Sequence, residues 1–176
     1  MNKMNIKKLT LSAMFLALAF VLPFFTGQIP QIGSMLCPMH LPVLLCGFFC
    51  GAPYGAIVGF IAPVFRSFTL GMPPMFPTAI CMAFEMATYG LTAGLLHKVL
   101  PSKKWSVYVS LISSMVIGRI VWGIAMFTCM GFDANKFGLT AFLTGAVTSA
   151  IPGIILQIVM IPILVFTLRK YVEKER

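Results

Sequence analysis

The stretch HLPVLLCGFFCGAPYGAIVGFIAPVFRS, His40 to Ser67, is almost wholly apolar, carries glycine at every fourth position from Gly47 to Gly59, and then presents a full positive charge at Arg66. Glycines at that spacing let apolar helices approach backbone to backbone, the means of association left to helices in a solvent as greasy as themselves. The GAPYG turn in the middle breaks the run and predicts a tight helical hairpin. The stretch therefore reads as two membrane helices packed closely, and the rest of the chain agrees.

Of the 176 residues, 59% are hydrophobic and only 10% charged, with a mean hydropathy of +0.97. A soluble domain carries roughly 25% charged residues. The sequence predicts an all-α integral membrane protein, residues 1–176 forming a single transmembrane domain embedded in the lipid bilayer. A span needs about 20 apolar residues. Six runs qualify: Lys8 to Thr26, a short His40 to Ala52, Tyr54 to Leu70, Pro77 to Leu100, Trp105 to Met130, and Phe137 to Leu168, the entry to the last reading as loop. Pro23 stands where a signal-peptide cleavage site would want small residues, so the first run reads as a retained helix.

The net charge of +9 is distributed in a way that excludes nucleic acid as a partner. Lys3, Lys7 and Lys8 precede the first span; Lys98, Lys103 and Lys104 lie between the fourth and fifth; Arg169, Lys170, Lys174 and Arg176 follow the sixth. Six crossings put all of these on one face and leave Lys136 on the other, so the positive-inside rule predicts a six-helix bundle with both termini cytoplasmic. The opposite loops, GQIPQIGSMLCPM, GMPPMF and GFDANK, are nearly uncharged and resemble a lid.

No catalytic or nucleotide-binding motif is present: no GxxxxGK[ST] phosphate loop, no HExxH, no GxSxG. Cys37, Cys46, Cys50, Cys81 and Cys129 form no CxxC pair and read as buried apolar residues, and no metal or cofactor is expected. The chain reads as a non-enzyme whose function rests on the few polar groups within the membrane.

Three ionisable side chains fall inside spans: Arg66, Glu85 and Arg119. Each lies roughly 18 to 21 Å from the cytoplasmic end of its helix, counted at about 1.5 Å per residue, so the three are expected in one layer. A charge at that depth needs a partner or a wet cavity. Glu85 and Arg119 form an ion pair on one reading; Arg66 is then left to grip a carboxylate or phosphate with two parallel hydrogen bonds, or else it snorkels to headgroups. Trp122, three residues after Arg119, is a ligand wall or a packed ring. Gln157 is a ligand contact or interhelical glue. His40, opening the second span at the outer surface, is a ligand contact or a solvated side chain, and Gln28, Gln31, Asp133 and Asn135 are lid contacts or ordinary loop residues.

The basic lead-in NIKKLTLSAMFLALAF, the GFFCGAPYGAIVG hairpin, the six-span layout and the uncharged first loop together resemble the S-components of energy-coupling factor (ECF) transporters, over nearly the whole chain. Ala13 and Ala17 match that family's small-residue docking motif. The resemblance implies a protein of a bacterial cell membrane that captures a water-soluble vitamin from outside. It also implies partners: a transmembrane coupling protein and two ATP-hydrolysing subunits. The segment Gly33 to Ala79 is similar to the riboflavin and pantothenate branch. Two arginines facing one glutamate favour an acid, pantothenate first and nicotinate next, over neutral riboflavin or hydroxymethylpyrimidine. The rival is a stand-alone proton-coupled carboxylate carrier in which Glu85 relays the proton.

Overall fold

The computed structural model of the protein describes residues 3–26, 36–100, 104–133, 138–145 and 150–174. Its helices are α1 (Lys3–Val21), α2 (His40–Cys50), α3 (Ala52–Leu70), α4 (Ile80–Val99), α5 (Lys104–Cys129), the one-turn α6 (Leu139–Leu143) and α7 (Ile151–Lys174). A short 3-10 turn, Leu22–Thr26, extends α1, and a wide turn, Met75–Ala79, leads into α4. No strand occurs among the described residues.

Five helical segments are long and apolar enough to cross a bilayer: Ile6–Phe25, Ala52–Leu70, Met75–Val99, Trp105–Cys129 and Ile151–Leu168. The second run of the sequence is helical too, but α2 has 11 residues, about 16 Å at the helical rise, against a hydrocarbon core of about 30 Å. The run expected to open at Phe137 is divided: α6 stands apart, and the long helix begins only at Ile151. Large apolar side chains point outward all round the bundle, among them Phe25, Ile57, Phe68, Val99 and Ile124, as a lipid environment requires.

Helix α4 sits at the centre, with half of its spanning window buried in protein, against 22% for α1. It packs on α2, α3 and α5; α1 lies on α2 and α3, and α7 touches α2 and α5. Glycine sets how close these helices come. A Cβ at Gly47 would stand 2.6 Å from the carbonyl oxygen of Gly90, and one at Gly55 would stand 2.7 Å from the same oxygen and 2.8 Å from the Cα of Gly47. Three helices thus meet at three glycines, one from each. Gly59 runs against the backbone at Met86, and Gly94 against Ala52, extending the seam.

The fourth member of the ladder does something else. Gly51 has φ +98 and open space where a Cβ would be; it is itself the turn between α2 and α3, with Pro53 at the second position of the new helix. The hairpin foreseen from GAPYG is real and tighter than a loop. Helix α3 then ends on Gly71 at φ +69, in the left-handed region that suits glycine at a helix end.

Candidate functional site

Glu85 lies in the second turn of α4 and is 1% exposed. A lone carboxylate there would be untenable, and its Oε1 accordingly receives several groups at once. The Tyr89 hydroxyl, one turn along the same helix, donates to it at 2.9 Å. The Arg119 guanidinium of α5 reaches it with Nη1 at 3.0 Å, and His40 of α2 brings Nε2 to 3.7 Å. The ring of Tyr89 fits because α5 has Gly118 opposite it, where a Cβ would collide with the ring. The expected pairing of Glu85 with Arg119 is therefore present, within a cluster drawn from three helices.

Tyr89 escaped the reading of the sequence, and Cys37, buried as expected, was not placed beside Arg119. Tyr89 sits at i+4 from Glu85, a spacing that puts the two on one helix face, and that was the available signal. Cys37 has left-handed backbone (φ 47) just before α2, and its sulfur lies 3.8 Å from Arg119 Nη2. Burial pushes its thiol up from the ordinary value, against the opposing pull of the Arg119 charge, so it acts as a neutral packing group. Cys46, Cys50 and Cys81 are buried as expected, and Cys129 is half-buried.

The solvated reading of His40 does not hold: it is 2% exposed, its ring 5.3 Å from that of Tyr89. The reason is the shortness of α2, which begins at the level of Glu85 instead of at an end of the bundle. Gln157 on α7 is 1% exposed, and its Oε1 has no hydrogen-bond partner among the described residues.

Arg66 has a different place. It is 4% exposed and donates from Nη1 to the carbonyl oxygen of Phe20 at 2.8 Å. Its guanidinium also lies over the rings of Phe20 and Phe24, 5.9 and 5.2 Å from their centroids. A cation on a carbonyl in the last turn of a helix satisfies an orphan acceptor and the helix dipole together. Arg66 thus fastens α3 to the end of α1, and among the described residues no ion pair joins it to Glu85.

Beside the cluster lies a cavity of about 340 Å³, between α5 and α7 with α6 across it, lined by Ile112, Met115, Val116, Arg119, Ile120, Phe142, Ile154 and Ile158. Arg119 is shared: it reaches Glu85 in the protein interior while its side chain keeps 16% exposure. Trp122, a ligand wall or a packed ring on the sequence, is packed: it stacks on Phe142 at 6.3 Å and 29°. Each of these two rings rests on a glycine of the other segment, Phe142 against Gly123 and Trp122 against Gly145. Asp133, just beyond the end of α5, is half-buried. Gln28, Gln31 and Asn135 lie outside the described residues. Ala13 and Ala17 are both exposed on one face of α1, with Met14 and Leu18 beside them.

The arrangement offers one cation beside a compact apolar space, with no group of three or more His, Cys, Asp or Glu placed to hold a metal among the described residues. A model of the family described as "ECF transporter, substrate-specific component" matches residues 7–165, most of the chain. The search of curated proteins and the search of solved structures returned no match.

Proposed function

This chain belongs to the substrate-specific component family of ECF transporters, and from that premise we propose that it captures a small water-soluble vitamin, held as an anion on Arg119, for import. The observation that carries the reading is the double placement of Arg119, anchored to Glu85 on one side and lining the cavity on the other. A guanidinium has five N–H donors in a fixed fork; Nη1 is on Glu85 and Nη2 lies 3.8 Å from the Cys37 sulfur, a weak acceptor that a ligand carboxylate would displace. Pantothenate is the first candidate and nicotinate the second. Arg66, engaged with Phe20, lends the anion argument no direct support.

In this reading both termini are cytoplasmic in a bacterial cell membrane, and the cavity end of the bundle faces outward. The exposed Ala13 and Ala17 face of α1 docks on a transmembrane coupling protein, which two ATP-hydrolysing subunits energise. A proton-coupled carrier is less well supported, because protonating Glu85 would dissolve its buried ion pair with Arg119.

Calorimetric titration of the detergent-purified chain with pantothenate, nicotinate, riboflavin and hydroxymethylpyrimidine tests the proposal. One-to-one binding of an acid is the expected result, and loss of that binding in Arg119→Gln ties it to the guanidinium. Tight binding of a neutral vitamin alone would remove the anion argument. Accumulation in vesicles driven by a proton gradient without ATP subunits would replace the transport mechanism.

A further inference from the structure

The sulfur atoms where α4 begins and α5 ends have a chemistry of their own, independent of what Arg119 binds. Cys81, one turn before Glu85 on α4, is 0% exposed. Its thiol is directed at two further sulfurs, both on α5: Met126 Sδ at 3.9 Å and Cys129 Sγ at 3.7 Å. The register of the antiparallel helices produces the meeting. Tyr89 lies against Gly118, and eight residues back along α4 and eight forward along α5 stand Cys81 and Met126. Cys129 follows Met126 at i+3, on the same helix face.

Two thiols in contact are ordinary packing, since free cysteine behaves as a small apolar residue. Three sulfurs drawn from two helices are also a ligand set. Sulfurs bound to one ion at about 2.3 Å, the usual metal–thiolate length, stand about 4 Å apart in a trigonal arrangement. The two distances from Cys81 are already close to that spacing. The site opens at the end of α5, where Met126 and Cys129 are half-buried, so an ion has a way in. Thiolate and thioether are soft ligands that favour Cu(I) over harder divalent ions. Structural zinc takes four ligands from Cys, His and carboxylates, and Glu85, the carboxylate one turn away, is held by Arg119. Charge points the same way, because a charge buried among apolar groups must be neutralised, and one thiolate neutralises a monovalent ion.

We propose that Cys81, Met126 and Cys129 form a three-sulfur site for a soft monovalent cation of the Cu(I) or Ag(I) type, which pins the start of α4 to the end of α5. As the ion binds, the Cys129 thiol gives its proton to water and forms the metal–thiolate bond. Cys81 Sγ and Met126 Sδ each contribute a lone pair, and nothing changes oxidation state. A disulfide between Cys81 and Cys129 would use the same thiols without the methionine, and it is the alternative the test must separate.

Silver(I) is the probe, being soft, monovalent and not reduced or oxidised under the conditions of the assay. The purified full chain in detergent, reduced and then freed of reductant and chloride, receives one equivalent of Ag(I) and a pulse of iodoacetamide, and alkylation is mapped at each cysteine by mass spectrometry. Cys129 is expected to be alkylated without silver and protected with it, while Zn(II) protects little. Met126→Leu keeps an apolar side chain and removes the thioether; it is expected to need about tenfold more silver for the same protection. X-ray absorption of the silver-loaded unmodified protein is expected to show three sulfurs at the ion, which decides the matter if the variant folds poorly. Two sulfurs or fewer, or equal protection in Met126→Leu, overturns the site in favour of simple thiol capture. Alkylation of Cys129 in spite of silver places the ion elsewhere and overturns it too. So does a Cys81–Cys129 peptide pair lighter by two hydrogens with no silver retained, which makes the pair a disulfide. Resistance of Cys129 to alkylation before silver is added overturns it as well, because a site closed to solvent takes no ion from it.

Discussion

Arg119 and Glu85 hold each other in a place where neither survives alone. With 1% exposure and contacts from Arg119, Tyr89 and His40 at one oxygen, Glu85 would keep its charge without its main counter-charge if Arg119 became methionine. Breaking a buried pair from one side costs about 3 to 5 kcal/mol, whereas replacing both partners by neutral groups of similar size is often nearly neutral. Arg119→Met is therefore expected to lower the melting temperature in detergent sharply, and Glu85→Gln with Arg119→Met to recover most of the loss. Equal damage in the single and double variants would mean that packing, not charge, is what the pair supplies. Gly118→Ala approaches the same cluster by another route: its new methyl displaces the Tyr89 ring, and overpacking of this kind costs about 1 to 3 kcal/mol. Because the displaced hydroxyl is a Glu85 donor, ligand affinity is expected to fall along with stability, and removal of the hydroxyl by Tyr89→Phe to lower affinity with a smaller loss of stability.

Among the helices, the glycines divide into two kinds that a substitution distinguishes. A methyl at Gly90 would fall on the backbone of Gly55, and both belong to helices that cannot yield without parting. Gly51 has open space around it but a backbone at φ +98 and ψ 171 that is almost confined to glycine, a strain of about 1 to 3 kcal/mol for an ordinary residue. Gly90→Ala is expected to prevent recovery of a monodisperse protein, while Gly51→Ala is expected to fold with a modestly lowered melting temperature. The reverse order would show that the turn, and not the three-glycine contact, sets the hairpin. This seam was half legible. The four-residue spacing of Gly47, Gly51, Gly55 and Gly59 declared a packing face, while Gly90 and Gly94, also four apart in α4, are the complementary small-residue pair, which nothing in the sequence tied to that face. Arg66 was opaque for a related reason: its depth was read from the sequence, yet its acceptor is a backbone carbonyl on another helix, and backbone groups leave no mark in composition. Phe142 lay in a segment read as the entry to a span, one phenylalanine among 16, and only its seat on Gly123 sets it apart.

For the molecule as a whole, the class and the family were legible because bilayer physics writes itself into composition, and the ion pair was legible because charges in a membrane are few. The number of crossings is the part that sequence and fold leave to experiment, and parity makes it testable. Helix α2 has 11 residues, too short for the hydrocarbon core on its own, and yet Lys98, Lys103 and Lys104 share a side with Lys3, Lys7 and Lys8 only if the chain crosses between α1 and α3. If that segment crosses, an alkaline phosphatase reporter, active only outside the cytoplasm, is expected to be active when fused after Gly71 or Asp133 and silent after Leu100 or Arg176. If it does not cross, every fusion after α2 reverses: Gly71 and Asp133 fall silent, and Leu100 and Arg176 become active. The second pattern would place the basic residues that follow α4 and α7 outside, against the positive-inside rule. The expected pattern is thus the first, because seven cationic side chains at Lys98, Lys103, Lys104, Arg169, Lys170, Lys174 and Arg176 outweigh the shortness of one helix, whose missing length lies on the side of His40 and Glu85.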